Sequence, residues 1–213
     1  TGSDYVKFSR DIDARDDSMF EYLLELSNGI SPTHTGILNL TGKLIAGDGF
    51  VPEQANDEAT KLWLEQANPY ESWDDLLGKI ARDYAIFNTY VLQVVWSKDG
   101  KKPVHFYSIP VHQVRAGEVN EFNQVTHYWI KDNWLANNRY YNQSLLVNYT
   151  QTGDKPICLP AFDPSKSITE PVQILYIRKP DNSQPYYTIP DYFSAQDYFL
   201  IEKNLAVLNS ASL

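Results

Sequence analysis

The stretch Ser31–Phe50, SPTHTGILNLTGKLIAGDGF, is the part of this chain that most constrains its fold. Ser31 can cap a helix with its hydroxyl, and Pro32 suits the first helical position, where a missing N–H costs nothing. Gly47 and Gly49 can adopt positive φ, so we expect the helix to end there and to deliver Phe50 as an apolar plug. The apolar face of this helix is predicted to comprise Ile37, Leu38, Leu44 and Ile45.

Further helices are predicted on both sides of this stretch. One begins at Ser18, and its apolar residues recur at helical spacing until Asn28–Gly29. A weaker helix is predicted within Glu53–Ala67, with Leu62 and Leu64 toward the core. Another starts at the cap Ser72, where early carboxylates favour its positive end. Its apolar stripe is Trp73, Leu76, Leu77, Ile80 and Tyr84.

The period changes to that of strands after residue 86. Tyr90–Trp96 is rich in β-branched and aromatic residues, and Lys98–Gly100 supplies a hairpin turn. Further strands are predicted at Val104–Ile109, Glu121–Ile130, Ser144–Thr150 and Val172–Arg178. A last helix opens at Pro190–Asp191. Its apolar positions follow a three-four-three spacing suited to packing on another helix or subunit: Tyr198, Ile201, Leu205 and Leu208.

The order of these elements predicts an α+β fold, with N-terminal helices, a central mostly antiparallel sheet and a C-terminal helix. Residues 1–17 are expected to form a flexible segment, and residues 18–213 a single domain. The 43% of hydrophobic residues can fill a core. No apolar run of about 18 residues exists, so we predict no membrane span.

The charge balance argues against tight, sequence-specific binding of nucleic acid. The chain has 27 acidic and 18 basic residues and a net charge of −9, and an acidic surface repels phosphates.

A single cysteine, Cys158, excludes an internal disulfide and a cysteine-based metal site. Its apolar surroundings predict a small buried residue instead of a nucleophile.

Residues with catalytic or metal-binding side chains do not form a recognisable motif. His34, His105, His112 and His127 lack the spacing that places two ligands on one helix face. Asp74, Asp75 and Asp83 could pair for acid–base work, but the first two are adjacent in a first helical turn and point apart. We therefore expect neither enzymatic activity nor a bound metal or cofactor.

The residues also allow two functional interpretations, a binding module and a small hydrolase. Aromatic residues make up 14% of the chain. They suggest a carbohydrate- or peptide-binding module with a cleft lined by Trp129, Trp134 and Tyr140. A small hydrolase would instead require two acidic groups that converge in a deep pocket with separated pKa values.

Taken in order, several segments resemble tailed-phage portal proteins. They are the Ser31–Phe50 stretch, Leu64 with Asn68, Leu76–Tyr84 leading to Phe87–Leu92, Trp96–Gly100, His105–Pro110, Val114–Arg115 and Tyr186–Pro190 with the helix that follows. The likeness spans most of residues 31–208. The positions that carry it include Gly47, Gly49, Phe50, Asn88, Pro110, Arg115 and Pro190. The chain departs from many members at Phe87 and Thr188, where a glycine is common.

The resemblance implies a wing-like part of a longer structural subunit, not an enzyme. Such subunits form a ring of about twelve copies at one capsid vertex. DNA is packaged and ejected through the ring without sequence-specific binding. The expected partners are further copies of the chain, the terminase motor, the capsid and the head–tail connector proteins. The expected location is the virion, assembled in the host cytoplasm.

Overall fold

Helix α2 (Pro32–Ala46) begins and ends where the sequence predicts. The computed structural model describes residues 5–10, 17–50, 58–134, 155–181 and 185–211. The Ser31 hydroxyl accepts a hydrogen bond from the His34 N–H at 3.0 Å, and Pro32 is the first helical residue. Gly47 ends the helix at φ 57° and Gly49 follows at φ 81°, a region that favours glycine.

The other helices and strands follow the predicted order. The helices are α1 (Met19–Glu25), α3 (Glu58–Glu65), α4 (Trp73–Phe87) and α5 (Gln196–Ala211). The strands are β1 (Gln66–Asn68), β2 (Glu71–Ser72), β3 (Thr89–Trp96), β4 (Pro103–Ile109), β5 (Val114–Ala116), β6 (His127–Ile130), β7 (Ile157–Pro160) and β8 (Val172–Arg178). Short 3₁₀ turns occupy Val111–Gln113, Pro164–Lys166 and Asp191–Ala195. Ser72 caps α4, as the sequence indicates, and it also forms a full capping box with Asp75.

Beside the short β1–β2 pair, the predicted central sheet is divided into two three-stranded antiparallel sheets. The first has the order β4-β3-β8, with β3 in the middle, and the second has the order β5-β6-β7. A parallel bridge between Ala161 and Ile174 joins them. The Lys98–Gly100 turn closes the β3–β4 hairpin, and Val91 pairs with Ile109. The α+β class with a C-terminal helix is confirmed.

The main core lies between α1, the end of α4 and the two sheets. Phe20 is its centre, since its ring makes edge contacts with Phe87 at 5.8 Å and Tyr187 at 5.3 Å. A smaller cluster forms under α4 around Leu76 and Leu92. Fully buried apolar residues of the main core include Met19, Leu23, Leu26, Val91, Val111 and Ile174.

The described part of residues 1–17 packs on the domain, which differs from the flexible segment expected from the sequence. Phe8 is buried and stacks on Tyr187 at 4.7 Å. The Val6 N–H donates to the Ala116 carbonyl at 2.8 Å, and Asp17 is buried beside Arg115. Apolar and ionic contacts therefore hold this part of the segment. The division of the chain at residue 17 stays a prediction.

Other local expectations need correction. Phe50 is about half exposed and rests on the Trp73 ring at 5.6 Å, so it does not plug the core. Cys158 is exposed because β7 is the outer strand of its sheet. The strand predicted over Glu121–Ile130 is confined to β6 and one bridge between Val119 and Val125. The predicted strand at 144–150 and the side chains of Leu62 and Leu64 lie outside the described residues.

Candidate assembly surface

The apolar stripe of α5 is exposed along its whole length. Tyr198, Ile201, Leu205 and Leu208 each keep between 52% and 73% of their surface accessible to solvent. At 3.6 residues per turn these four side chains share one side of the helix. From Lys203 to Ser210 every residue of α5 is exposed. The spacing predicted from sequence is present, and the partner that it was predicted to pack against stays a prediction.

Helix α2 carries a second exposed apolar stripe, formed by Ile37, Leu40 and Leu44. These residues are 58%, 59% and 74% exposed. Leu38 lies on the opposite side of the helix from Leu40 and is buried, as is His34. Of the apolar face expected for α2, Leu38 alone is buried. The intrachain core therefore leaves most of the apolar surface of α2 uncovered.

The two helices meet at the start of α2, where Glu202 of α5 accepts hydrogen bonds from the Ser31 and Thr33 hydroxyls. The Thr33 bond is 3.0 Å long. His34 stacks on Phe199 with ring centroids 4.0 Å apart. The hydrogen bonds from Ser31 and Thr33 lower the pKa of Glu202, so its carboxylate stays charged at neutral pH. These contacts hold the N-terminal half of α5 against the N-terminal end of α2.

The surface of α2 is basic in an acidic protein. Its sequence from Pro32 to Ala46 contains Lys43 and neither Asp nor Glu. Arg82 of α4 lies beside it and donates to Asn39 Oδ1 at 2.9 Å and to Asn28 Oδ1 at 3.1 Å. A groove of about 310 Å³ runs along the junction of α2 and α4. Its lining is Leu38, Asn39, Gly42, Lys43, Ala46, Gly78 and Arg82.

Arg115 lies in the interior, where it joins the N-terminal segment to the second sheet. Its side chain is fully buried and pairs with Asp17 at 2.8 Å and with Glu21 at 3.4 Å. The guanidinium also donates to the carbonyls of His112 and Val114. Burial raises the pKa of both carboxyl groups, and the charge of Arg115 opposes that rise. The role of Arg115 is therefore structural: it stabilises the packing of the N-terminal segment against the second sheet.

The remaining positions of the family resemblance lie at turns that direct the chain. Asn88 ends α4 at φ 50°, and its carbonyl accepts from the Lys179 N–H at 2.8 Å. Pro110 and Pro190 each precede a 3₁₀ turn. Gly49 lies against the Asp74 carboxylate, which accepts the Phe50 N–H at 2.8 Å. The placement of these positions is therefore explained by the folding of the backbone.

The aromatic residues expected to line a binding cleft do not lie open together. Trp134 is buried, donates to the Gln113 carbonyl at 2.9 Å and packs on Tyr5 at 4.5 Å. Trp129 is half-buried and meets the edge of His127 at 6.0 Å, and Tyr140 lies outside the described residues. Trp134 is not available to stack on a ligand, because it covers Arg115.

The carboxylates do not form the pair that hydrolysis would need. Asp75 is engaged in the cap of α4 and Asp74 binds the Phe50 N–H. Burial raises the pKa of Asp83 to about 7, and no second carboxyl group is placed beside it as a catalytic partner among the residues described above. Asp17 and Glu21 converge on Arg115 in the packed interior. Within the described ranges, no cluster of three or more His, Cys, Asp or Glu side chains could hold a metal ion.

Comparison with known proteins reveals a shared fold. No protein-family profile and no curated protein matches the sequence. A chain in the neck of an empty GTA particle, computed with C6 symmetry, superimposes with a TM-score of 0.64 at 10% identity. The match covers 93% of this chain and 46% of that one. A chain in the virion of a native gene transfer agent (GTA) particle gives a TM-score of 0.62 at 10% identity, covering 97% of this chain and 47% of that one.

These likenesses extend to the fold and cover nearly all of this chain. The chain spans less than half the length of either neighbour. Among the helices that the structure describes, none has the length and apolar character required to cross a lipid bilayer. The exposed faces of α2 and α5 are the main unexplained feature of this fold. The spacing of its apolar residues predicts the stripe on α5, and the corresponding signal for α2 is the absence of Asp and Glu from residues 32–46.

Proposed function

We propose that this protein is a non-enzymatic structural subunit of a phage-type particle and forms part of a portal ring at the capsid vertex. The observation that carries the proposal is a fold shared, over 93% and 97% of the chain, with chains in a GTA neck and a GTA virion. The resemblance of the Ser31–Phe50 stretch and the segments after it to portal proteins supports the same function independently.

The exposed apolar stripes are consistent with a subunit that is incomplete as a monomer. Eight large apolar side chains on α2 and α5 are each more than half exposed. Contiguous exposed apolar surface of this kind marks sites of protein association. A ring of about twelve copies would cover such surfaces through repeated contacts. In this proposal the chain is the wing-like part of a longer subunit, and residues 18–213 form one domain of it.

The charge of the chain suits a conduit for DNA. A net charge of −9 disfavours retention of a polyanion, so DNA can pass during packaging and ejection without sequence-specific binding. The terminase motor, the capsid and the head–tail connector are the partners proposed for the complete subunit in the virion. No cofactor is part of the proposed function.

Negative-stain imaging of the purified complete gene product over a range of concentrations tests the proposal. We expect closed rings with an open centre, whose number grows with protein concentration. The double variant L40S/L205S, altered at two exposed positions, should fold normally and form fewer rings. A matched variant at an exposed apolar position outside α2 and α5, F122S, should assemble like the parent protein. Compact monomers under all conditions would refute the proposal.

A further inference from the structure

We propose that helix α5 of one copy of this chain lies antiparallel on helix α2 of the next copy in the assembly. The inference rests on the proposed function, because it assumes that the chain assembles with itself. It deepens that proposal by naming the two surfaces that meet. The reasons are the shape of the two stripes, the charges that border them and the position of α5 in its own chain.

The two stripes match in form. On α2, Ile37, Leu40 and Leu44 occupy one side of the helix, and on α5 Ile201, Leu205 and Leu208 do the same. Both follow the three-and-four spacing by which side chains of two helices interdigitate. The α5 stripe, from Tyr198 to Leu208, is about 15 Å long, enough to cover the roughly 10 Å from Ile37 to Leu44.

Complementary charges border the stripes and set the direction of the helices. Lys43 lies three residues after Leu40, near the C-terminal end of α2, and Arg82 extends the basic edge. Asp197 lies four residues before Ile201, in the first turn of α5. Both spacings place the charged group next to the apolar stripe. Antiparallel helices bring Asp197 to Lys43 and also oppose the two helix dipoles favourably.

The α2 stripe cannot be covered by α5 of the same chain. That helix contacts its own α2 through Phe199 and Glu202, at the Ser31 end. Phe199 lies on the opposite side of α5 from Ile201 and Leu208. The stripe on α5 therefore faces away from the α2 to which the helix is attached. A neighbouring copy offers the complementary surface, and because α2 and α5 differ, the contact repeats from copy to copy.

Disulfide crosslinking between defined positions tests this arrangement. In a C158S background, the I37C and L205C proteins are mixed and oxidised after native mass spectrometry has established whether each assembles. We expect a crosslinked dimer at least tenfold more abundant than in a mixture of F122C and L205C. The I37C/L205C double variant should give a ladder of crosslinked copies. Each position is exposed, so the variants should fold.

Three results would overturn the inference, and they are distinguishable from one another. Assembled protein whose crosslinking of I37C to L205C equals the F122C control would reject the α2–α5 contact and leave the proposed function intact. Preferential crosslinking of L205C to L44C would reject the antiparallel direction. A complete gene product that stays monomeric before oxidation would reject both the inference and the proposed function.

Discussion

The Arg115 guanidinium and the Asp17 carboxylate form an ion pair of 2.8 Å in which the arginine side chain is completely buried. Glu21 approaches the same guanidinium at 3.4 Å, and the rings of Phe20 and Trp134 pack on it. One cation thus anchors the N-terminal segment, α1 and β5. A buried charge of this kind is costly when it loses its partner.

Replacing Arg115 with methionine should destabilise the protein strongly. R115M leaves two buried carboxyl groups without their cation, and removal of one partner of a buried pair costs about 3–5 kcal/mol. Urea denaturation would measure the change in the free energy of unfolding. Arg82, which makes only exposed hydrogen bonds, provides the control, and R82M should cost less than about 1 kcal/mol. Equal losses in the two variants would show that Arg115 is not the anchor described above.

A second substitution tests whether the unpaired Asp17 carboxylate causes the instability of R115M. D17N removes one of the charges that R115M leaves stranded, so D17N/R115M should be more stable than R115M alone. The difference in stability between the double variant and R115M should be largest at neutral pH. There, Asp17 of R115M must either stay charged without a partner in the interior or take up a proton when the protein folds. A double variant whose loss equals the sum of the two single losses would show that the pair is not coupled.

The stability of the protein should fall as pH rises through the range in which Asp83 titrates. Burial raises the pKa of Asp83 in the folded protein from its ordinary 3.8 to about 7. Between these pH values the folded state holds a proton that the unfolded state has released, so a rise in pH favours the unfolded state. The contribution of protonated Asp83 to the free energy of unfolding is therefore complete below about pH 4 and lost by about pH 7. The total effect is at most about 4 kcal/mol.

The variant D83N isolates this effect, because asparagine cannot titrate. Denaturation of both proteins at several pH values should show the parent losing stability relative to D83N as pH increases. A difference between the two proteins that is constant from about pH 4 to pH 8 would mean that Asp83 has an ordinary pKa.

Two glycines should respond in opposite ways to substitution with alanine. Gly49 has φ 81° and a side chain there would collide with the Asp74 carboxylate, so G49A should cost roughly 1–3 kcal/mol. Gly36 lies within α2 with open space around it, so G36A should stabilise the helix by about 0.5–1 kcal/mol. Thermal unfolding of the two variants measures both signs. A stabilising G49A would contradict the turn geometry.

Ser31 should affect two helices at once. Its hydroxyl caps α2 and also binds Glu202 of α5, so S31A should cost about 1 kcal/mol and speed amide hydrogen exchange at the start of α2 and in the first turns of α5. T33A removes only the bond to Glu202, and its effect on α2 should be smaller. Unchanged exchange in α5 of S31A would show that the hydroxyl does not hold that helix.

Local signals in the sequence account for most of the backbone. Ser31–Pro32 and Ser72 with Asp75 begin their helices as expected, and Gly47 ends α2, because caps and positive φ values depend on residues close in the chain. The β3–β4 hairpin follows from the turn between its strands. For the same reason the order of elements and the α+β class could be predicted.

Long-range contacts could not be predicted in this way. Arg115 and Asp17 are 98 positions apart, and no periodicity connects them. Trp134 was expected at an open cleft because its indole is amphipathic, but it covers Arg115 instead. The exposed stripe of α2 was missed because hydrophobic spacing identifies an apolar face without showing whether the same chain buries it.

Self-assembly into a ring is best tested by native mass spectrometry of the complete gene product. Its masses give the number of copies in each assembly without reference to any structure. We expect a dominant closed assembly of about twelve copies that survives dilution. A protein that remains monomeric at every concentration and ionic strength would contradict it.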